Sequence, residues 1–303
     1  MSNIVGIGAC VMDTLVSVPN YPREDTKLQA LSTKVAGGGP VATGLVAAAV
    51  IGVSAGYIGQ LAEDNGGAFL LQDFAKYGVE TCHIVKKAGY RSFTSTIWLS
   101  QSSHSRTCVF DRGNLPKWSL NQEQKQAVEK AKLLMVDGNE LQAAVDAARL
   151  AKAAGVKVLY DAGGLYPGVE ELLGLTDYLI PSEEFALLHT GCASAEDATK
   201  ALFDRYHPEF VVVTQGKQGG VFYDGKETLR YPAFRVEAVD TNGAGDVFHG
   251  AFAAGYVKGY DFLKCCFFSS AVSAIKCTGI GARESVPSFE TVKEFLKEKG
   301  YEL

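Results

Sequence analysis

Residues 132–162, KLLMVDGNELQAAVDAARLAKAAGVKVLYDA, hold two short apolar runs on either side of one helical segment. The runs KLLMVDG and VKVLYDA have the length and composition of buried strands. Between them, ELQAAVDAARLAKAAG has the apolar periodicity of an amphipathic helix. Strands that alternate with helices indicate βαβ units and a parallel sheet with helices on both faces. This stretch therefore predicts an α/β fold.

The same alternation continues on both sides of this stretch. The predicted strands include residues 3–10, 55–61, 177–182 and 210–216, and the predicted helices include residues 41–52, 67–78 and 196–207. No repeat, low-complexity tract or linker divides the chain. We therefore predict one domain over residues 1–303, with a mainly parallel central sheet between two layers of helices.

Two polar stretches, residues 13–36 and residues 90–112, interrupt this rhythm. Both have the pattern of half-exposed antiparallel strands, so we expect them to pair into a small sheet that projects from the α/β body. We call this sheet the lid, because a flap of this kind excludes water during group transfer. An exposed strand edge also invites pairing with another chain, which predicts a homodimer formed through the lid strands.

Composition excludes several classes of protein. The net charge of −5 disfavours a nucleic-acid surface, and every apolar run is shorter than the roughly 20 residues that a membrane span needs. The start of the chain, MSNIVGIGACVMD, is typical of a strand rather than of a signal peptide. The seven cysteines have no zinc-like spacing and indicate reduced thiols. We therefore predict a cytoplasmic protein that binds neither nucleic acid nor membrane.

Residues 238–256, AVDTNGAGDVFHGAFAAGY, place Asp246 directly after Gly243-Ala244-Gly245 and at the start of a helix. The helix dipole favours a carboxylate at this position, and the glycines leave backbone N–H groups free to bind an anion. A base beside an anion site suits the transfer of a charged group to a hydroxyl. The chain has no GxxxxGK[ST] loop, and GIGAC at residues 6–10 lacks the third glycine of a dinucleotide site.

Two of these motifs resemble those of one enzyme family. DTNGAGDVFHGAFA resembles the C-terminal signature of the ribokinase-like (PfkB) sugar kinases, and GGGPVATGLVAAAVIG resembles their N-terminal Gly-Gly motif. The similarity covers essentially the whole chain, lid strands included. It implies a ribokinase-like three-layer α/β/α fold and transfer of the γ-phosphate of Mg-ATP to a sugar hydroxyl.

The resemblance also assigns roles to single residues. It makes Asp246 the general base and the N–H groups of Gly243, Ala244 and Gly245 the anion hole for the phosphoryl group. The implied sugar contacts are Asp13, Gly38, Gly39, Thr43 (where many members carry Asn) and, for an anionic group on the sugar, Lys27. The implied nucleotide contacts are Thr214, Gly216, Gly219, Ser270, Cys277 and Gly281.

The resemblance bears on metal ions as well. In this family, loop carbonyls within residues 269–282, together with Asp240 and Thr241, often form a site for a monovalent cation such as K⁺. Many members also organise Mg²⁺ through an Asn-x-x-Glu motif, whose place here is taken by Ser182 and Phe185. Glu183 or Glu184 is then expected to act through water, since Mg²⁺ retains several water ligands.

The substrate is the least constrained part of this interpretation. GGGPVAT, GAGDVFHGAF and AIKCTGIGAR look closest to the branch that holds sulfofructose kinases and ketohexokinase-like enzymes. A carboxylate at Asp111 would repel a sulfonate, so we predict a neutral ketose such as fructose, with sulfofructose second. Tyr21, Phe93 and Trp98 in the lid segments leave a nucleoside kinase open, and a sugar-binding regulator without activity is a further alternative.

Overall fold

A computed structural model describes residues 2–103 and 105–303; residue 104, in the predicted lid segment, and residue 1 lie outside the described residues. The strands are β1 (Ile4–Ile7), β2 (Val11–Val18), β3 (Ser32–Gly38), β4 (Ala55–Tyr57), β5 (Gly59–Ala62), β6 (Ile84–Lys87), β7 (Thr94–Ser100), β8 (Ser105–Asp111), β9 (Leu133–Val136), β10 (Lys157–Ala162), β11 (Tyr178–Pro181), β12 (Phe210–Thr214), β13 (Gly220–Tyr223) and β14 (Thr228–Tyr231). The helices are α1 (Pro40–Val50), α2 (Asn65–Tyr77), α3 (Gln122–Lys130), α4 (Leu141–Ala154), α5 (Glu170–Gly174), α6 (Glu183–Thr190), α7 (Ala195–Tyr206), α8 (Ala244–Val257), α9 (Phe262–Lys276) and α10 (Phe289–Glu298).

An eight-stranded sheet forms the centre of the fold, in the order β14-β13-β12-β11-β10-β9-β1-β4. Strands β4, β1, β9, β10, β11 and β12 are mutually parallel, and β13 and β14 continue the sheet in antiparallel pairing. The predicted α/β class with a mainly parallel sheet is confirmed.

Both faces of this sheet are buried. Along β9, Leu133 and Met135 pack in one hydrophobic cluster with α1, α8 and α9, whereas Leu134 and Val136 pack in a second cluster with α3, α4 and α7. Successive residues of a strand point to opposite faces, so an unbroken apolar run is needed to fill both clusters. The sheet therefore lies between two helical layers.

The carboxyl ends of the parallel strands collect polar residues at one edge. Asp137 follows β9, and Asp161 lies at the end of β10. The first turn of α8 lies near both, because the charge of Asp137 acts on the Asp246 carboxyl and the charge of Asp246 acts on the Asp161 carboxyl. In open α/β sheets ligands bind outside the carboxyl ends of the strands. The fold thus places the candidate site at this edge.

A second sheet of four strands, β3-β2-β7-β8, joins the two predicted lid segments. Each segment forms an antiparallel pair, as the sequence suggests, but β2 and β7 join the two pairs in parallel. Strand β2 ends at Val18, and residues 19–31, which include Pro19 and Pro22, form no strand. Proline removes a ladder donor, so the strand pattern expected over all of residues 13–36 is wrong for this part.

The predicted strand at residues 55–61 is two strands. β4 pairs with β1 in the main sheet, whereas β5 pairs with β6 in a separate two-stranded sheet that the sequence pattern did not predict. The N–H of Ile58 donates a hydrogen bond to the Gly6 carbonyl at 2.9 Å, and the chain then leaves the main sheet.

All seven cysteines lie within the described residues and are free thiols. Within residues 2–103 and 105–303, no helix combines the length and apolarity needed to cross a membrane.

Candidate active site

The turn before α8 forms the centre of the candidate site. Gly243 caps the helix with φ 74°, a left-handed conformation that glycine adopts without a Cβ penalty. The Ala244 N–H donates to the Thr241 carbonyl at 3.2 Å. The first turn of a helix leaves N–H groups without intrahelical acceptors, and Gly245 is exposed to solvent. The N–H of Gly245 therefore suits an anion better than that of Ala244.

Asp246 lies in the first turn of α8, half-buried beside this turn. Burial raises the pKa of its carboxyl, and the negative charge of Asp137 raises it further. The positive charges of His249, Arg106 and Arg283 oppose this effect. A carboxylate whose proton affinity is raised in this way is a better general base than an exposed aspartate.

His249 follows Asp246 by one helical turn and is buried. Its Nδ1 lies 2.7 Å from the Gly245 carbonyl oxygen and 3.2 Å from Asp161 Oδ2, and its Nε2 lies 2.8 Å from the Ile180 carbonyl oxygen. Carbonyl oxygens only accept hydrogen bonds, so both ring nitrogens must donate, which fits an imidazolium. Burial raises the pKa of Asp161 to about 7, and the charge of His249 opposes that rise.

The glycine-rich loop between β3 and α1 surrounds Asp13. Asp13 is 8% exposed, and its Oδ1 accepts a hydrogen bond from Ser95 Oγ at 2.5 Å. A Cβ on Gly38 would overlap the Asp13 carboxylate, and Gly39 has φ 95° with the Ala9 carbonyl where its Cβ would lie. Burial raises the pKa of Asp13 to about 6. The structure thus brings three of the predicted sugar contacts together.

Arg283 is a site residue to which the sequence interpretation gave no role. It is 1% exposed, donates from Nη2 to the Gly38 carbonyl at 2.7 Å and forms an ion pair with Asp73. Its Nε donates to Thr43 Oγ1 at 3.3 Å, and Thr43 has no exposed surface. Thr43 therefore lies behind the glycine loop, against Arg283. An arginine in the loop GIGAR, otherwise made of small and apolar residues, was the available signal.

Asp137 was also missed, although it directly follows a buried strand. Its Oδ2 accepts hydrogen bonds from the N–H groups of Ala9 at 2.9 Å and Val41 at 3.2 Å, and its Oδ1 accepts from Asn139 N at 2.9 Å. These bonds tie the end of β1 and the start of α1 to the edge of the sheet. Asp137 thus holds the backbone on which the glycine loop is built.

The predicted nucleotide residues follow β12. Thr214 ends this strand, a short 3₁₀ turn covers Gly216–Gln218, and Gly219 has φ 87°. Ser270 is buried in α9, where its Oγ donates to the Pro232 carbonyl at 2.9 Å, so its hydroxyl is used inside the protein. Ser273, one turn further along α9, instead donates to the Ala244 carbonyl at 2.9 Å and supports the turn before α8.

Glu183 is the predicted metal-site residue whose carboxylate lies beside the predicted nucleotide loop. It lies in the first turn of α6, and its Oε1 accepts from Gln215 Nε2 at 2.7 Å, beside the Thr214 loop. Ser182 caps α6 through Phe185 N at 3.1 Å, and the Phe185 ring packs against Tyr160 in the core. In the part of the chain that the structure describes, no three His, Cys, Asp or Glu side chains form a metal cluster. Glu183 could hold an Mg²⁺ ion through one of its waters, since Mg²⁺ retains several water ligands.

The remaining predicted substrate residues lie in the two lid segments. Lys27 is exposed in the irregular segment 19–31, and exposed Asp111 forms an ion pair with Arg91 at 3.0 Å. Tyr21 shares a hydrogen bond with Ser105 at 3.1 Å. The remaining two predicted aromatic clamp residues are Phe93, whose ring lies 5.8 Å from that of Phe110, and Trp98, a half-buried residue of β7.

This fold and this site together define a small-molecule kinase. Residues 1–288 match the model of the pfkB family carbohydrate kinases, and the chain belongs to this family. The ribokinase-like fold and the sugar kinase activity that the sequence resemblance implied are therefore confirmed.

Individual relatives agree with this assignment. The chain is 30% identical over 298 residues to a ribokinase of Haemophilus influenzae, which covers 96% of this chain and 97% of that protein. It is 27% identical over 317 residues to a 5-dehydro-2-deoxygluconokinase of Shouchella clausii, covering 98% and 96% of the two chains. A crystal structure of a candidate ribokinase from Agrobacterium tumefaciens superposes with a TM-score of 0.92 at 26% identity, over 98% of both chains.

Proposed function

We propose that this sugar kinase transfers the γ-phosphoryl group of Mg-ATP to a hydroxyl of a neutral monosaccharide, and that a ketose such as fructose is its preferred substrate. The observation that supports this most strongly is the half-buried Asp246 carboxylate in the first turn of α8, directly behind the Gly243 turn. In this arrangement the Asp246 base would act on the sugar hydroxyl, and the anion site would act on the γ-phosphoryl group that is transferred.

The proposed reaction needs one proton acceptor and one anion hole. The sugar hydroxyl gives its proton to the Asp246 carboxylate while its oxygen forms a bond to the γ-phosphorus, and the bond from that phosphorus to the bridging oxygen of ADP breaks. The N–H groups of the Gly243–Gly245 turn bind the charge that develops on the phosphoryl oxygens. Mg²⁺, when bound with ATP, neutralises phosphate charge, and Glu183 is the carboxylate best placed to hold one of its waters.

The proposed sugar subsite lies between the glycine loop and the lid sheet. Asp13 accepts one hydrogen bond from Ser95 and keeps a second oxygen against Gly38, so it can accept from sugar hydroxyls. Closure of the lid sheet over this subsite would exclude water from the transfer. We propose that Thr214, Gly216 and Gly219 bind ATP on the opposite side of the Gly243 turn.

One observation favours a second candidate, a ketose that carries a carboxylate. Arg106 on lid strand β8 is close enough to lower the pKa of Asp246, so a positive charge from the lid acts on the reaction centre. The charge of Asp111, which was expected to repel an anionic sugar, is paired with Arg91 and exposed to solvent. The relative that phosphorylates 5-dehydro-2-deoxygluconate, by its name, acts on such a sugar acid.

A single panel of acceptors tests both candidates. ADP release would be measured with Mg-ATP and fructose, ribose, 2-deoxyribose, 5-dehydro-2-deoxygluconate, sulfofructose or adenosine, beside an Asp246→Asn control. We expect the highest kcat/KM with fructose and a loss of about 10²-fold or more in the control. A higher kcat/KM with 5-dehydro-2-deoxygluconate would favour the second candidate, a higher one with sulfofructose would contradict both, and a control that retains full activity would rule out Asp246 as the base.

We further propose that the lid sheet pairs two copies of this chain. Its outer strands, β3 and β8, expose Val35, Val109 and Phe110 to 44%, 66% and 57%. Exposed apolar side chains on the edge strands of a sheet are typical of an interface. Sedimentation equilibrium of the purified protein should report a dimer that Phe110→Ser weakens; a monomer at all concentrations would contradict this proposal.

A further inference from the structure

Lys276, the last residue of α9, has no exposed surface. A buried ammonium group is costly unless it is hydrogen-bonded and its charge is balanced. Its Nζ donates to the backbone carbonyl of Asp240 at 2.8 Å. A lysine at the end of a helix usually extends into water to interact with the dipole, so this inward orientation calls for another explanation.

Asp240 and its neighbours form the place where the family resemblance implies a monovalent cation. Both carboxylate oxygens of Asp240 accept backbone hydrogen bonds, Oδ1 from Asn242 N at 2.8 Å and Oδ2 from Gly281 N at 2.9 Å. The carbonyl of Cys277 accepts from Asp240 N at 3.1 Å as well as from its neighbour Val239 N at 2.8 Å.

Two further carbonyls at this place also have protein donors. The Gly281 carbonyl accepts from Ser285 Oγ at 2.7 Å, and the Thr241 carbonyl accepts from Ala244 N. A K⁺ site needs several carbonyl oxygens to replace the hydration shell of the ion. Here the carbonyl oxygens of Cys277, Gly281 and Thr241 already accept hydrogen bonds, and the Asp240 carbonyl faces an ammonium group. The residues present do not fit a bound K⁺.

The same ammonium group lies beside the proposed anion hole. Ser273, three residues before Lys276 and on the same face of α9, donates to the Ala244 carbonyl at 2.9 Å. The end of α9 therefore runs along the Gly243–Gly245 turn. Burial lowers the pKa of Lys276, the negative charges of Asp240 and Asp246 oppose that effect, and the positive charge of Arg106 adds to it.

We propose that Lys276 is a built-in cation that takes the place of K⁺: it holds the Asp240 carbonyl, supplies positive charge beside the phosphoryl-binding turn and makes the kinase independent of monovalent cations. The proposal rests on the proposed role of that turn in phosphoryl transfer. Lys276 is a positioning residue here, because it acts on the turn rather than on the substrate.

Three proteins test this at constant ionic strength, with choline chloride as the reference salt. Wild type should have the same kcat in choline chloride, KCl and NH₄Cl. Lys276→Ala removes the charge and leaves space for an ion, so its kcat should fall by about 10²-fold in choline chloride and recover at least about tenfold in KCl or NH₄Cl. Lys276→Met keeps the volume without the charge, so its kcat should fall and not recover.

Urea unfolding in the same salts provides a readout that needs no activity. An ion that binds only the native state stabilises it, so KCl should raise the unfolding midpoint of Lys276→Ala relative to choline chloride, while wild type and Lys276→Met should show no such rise.

Activation of wild type by KCl would overturn the proposal, as would a Lys276→Ala protein that is fully active in choline chloride or folded but unresponsive to KCl. If no sugar is phosphorylated, the proposed function fails, and the unfolding midpoints still decide whether Lys276 replaces an ion.

Discussion

Asp13→Asn should stabilise the protein at neutral pH, because this carboxyl is ionised in a place where burial disfavours its charge. Its pKa is raised from 3.8 to about 6 in the folded protein, mainly by burial, with Ser95 and Arg283 opposing the shift. At about 1.4 kcal/mol per pKa unit, a shift of about 2 units corresponds to roughly 3 kcal/mol. Asparagine keeps an oxygen acceptor for Ser95 and removes the charge.

The sign of the effect follows from proton binding. A carboxyl with a raised folded pKa holds its proton more tightly in the native state, so the unfolded chain releases its proton first as the pH rises from about 4. The free energy of unfolding of wild type therefore loses up to about 3 kcal/mol between pH 4 and values above pH 6, and the asparagine variant does not lose it. The variant should be more stable at pH 8 and no more stable than wild type at pH 4.

Urea unfolding across this pH range measures the difference directly. Asp204→Asn on the exposed face of α7 is the matched control, since water screens that carboxylate and no comparable gain is expected. In the same Asp13→Asn protein the KM for the sugar should rise, because the second carboxylate oxygen, the proposed acceptor for sugar hydroxyls, is lost. A stability difference that does not change with pH, or a variant less stable than wild type at pH 8, would refute the reasoning.

Two further substitutions test charges that the site holds in place. Arg283→Met leaves Asp73 without its cation and should cost about 3–5 kcal/mol of unfolding free energy in urea; adding Asp73→Asn should restore part of it, and a cost below about 1 kcal/mol would contradict the importance of this pair. His249→Gln removes a positive charge that lowers the pKa of Asp246, so the acid limb of the kcat/KM–pH profile should shift to higher pH, and a shift to lower pH would contradict the proposed electrostatics.

The elements best predicted from sequence are those with strong local periodicity. The stretch 132–162 predicts β9, α4 and β10 to within two residues at each end, because both strands fill two faces of a buried sheet and are largely apolar. Strand pairing is harder to predict from sequence. Nothing in the local pattern indicates that β2 pairs with β7 in parallel or that β5 leaves the main sheet for β6, since these contacts depend on distant segments.

In the candidate site, too, local features could be predicted from sequence, whereas contacts between distant segments could not. The Gly243 turn and Asp246 could be predicted because helix capping and anion binding are local properties of one short segment. The contacts of Arg283 join residues more than two hundred positions apart in sequence, to the Gly38 carbonyl and Thr43. The resemblance implies Ser270 as a nucleotide contact, but sequence does not give the rotation of α9 against α8, and the structure turns Ser273 toward Ala244.

The buried charges of the site explain how an acidic chain can handle a polyphosphate. Three buried carboxylates, Asp13, Asp137 and Asp161, and the half-buried Asp246 lie at the carboxyl edge of the sheet. Arg283, His249 and Lys276 balance them, and each has a backbone carbonyl as a hydrogen-bond partner. Such cations need no rearrangement when phosphate arrives, which is the condition for strong electrostatic stabilisation. Burying these cations costs stability that apolar residues would not cost. The chain has a net charge of −5, so its surface offers little positive potential for a polyphosphate, and the positive charge lies inside the site instead.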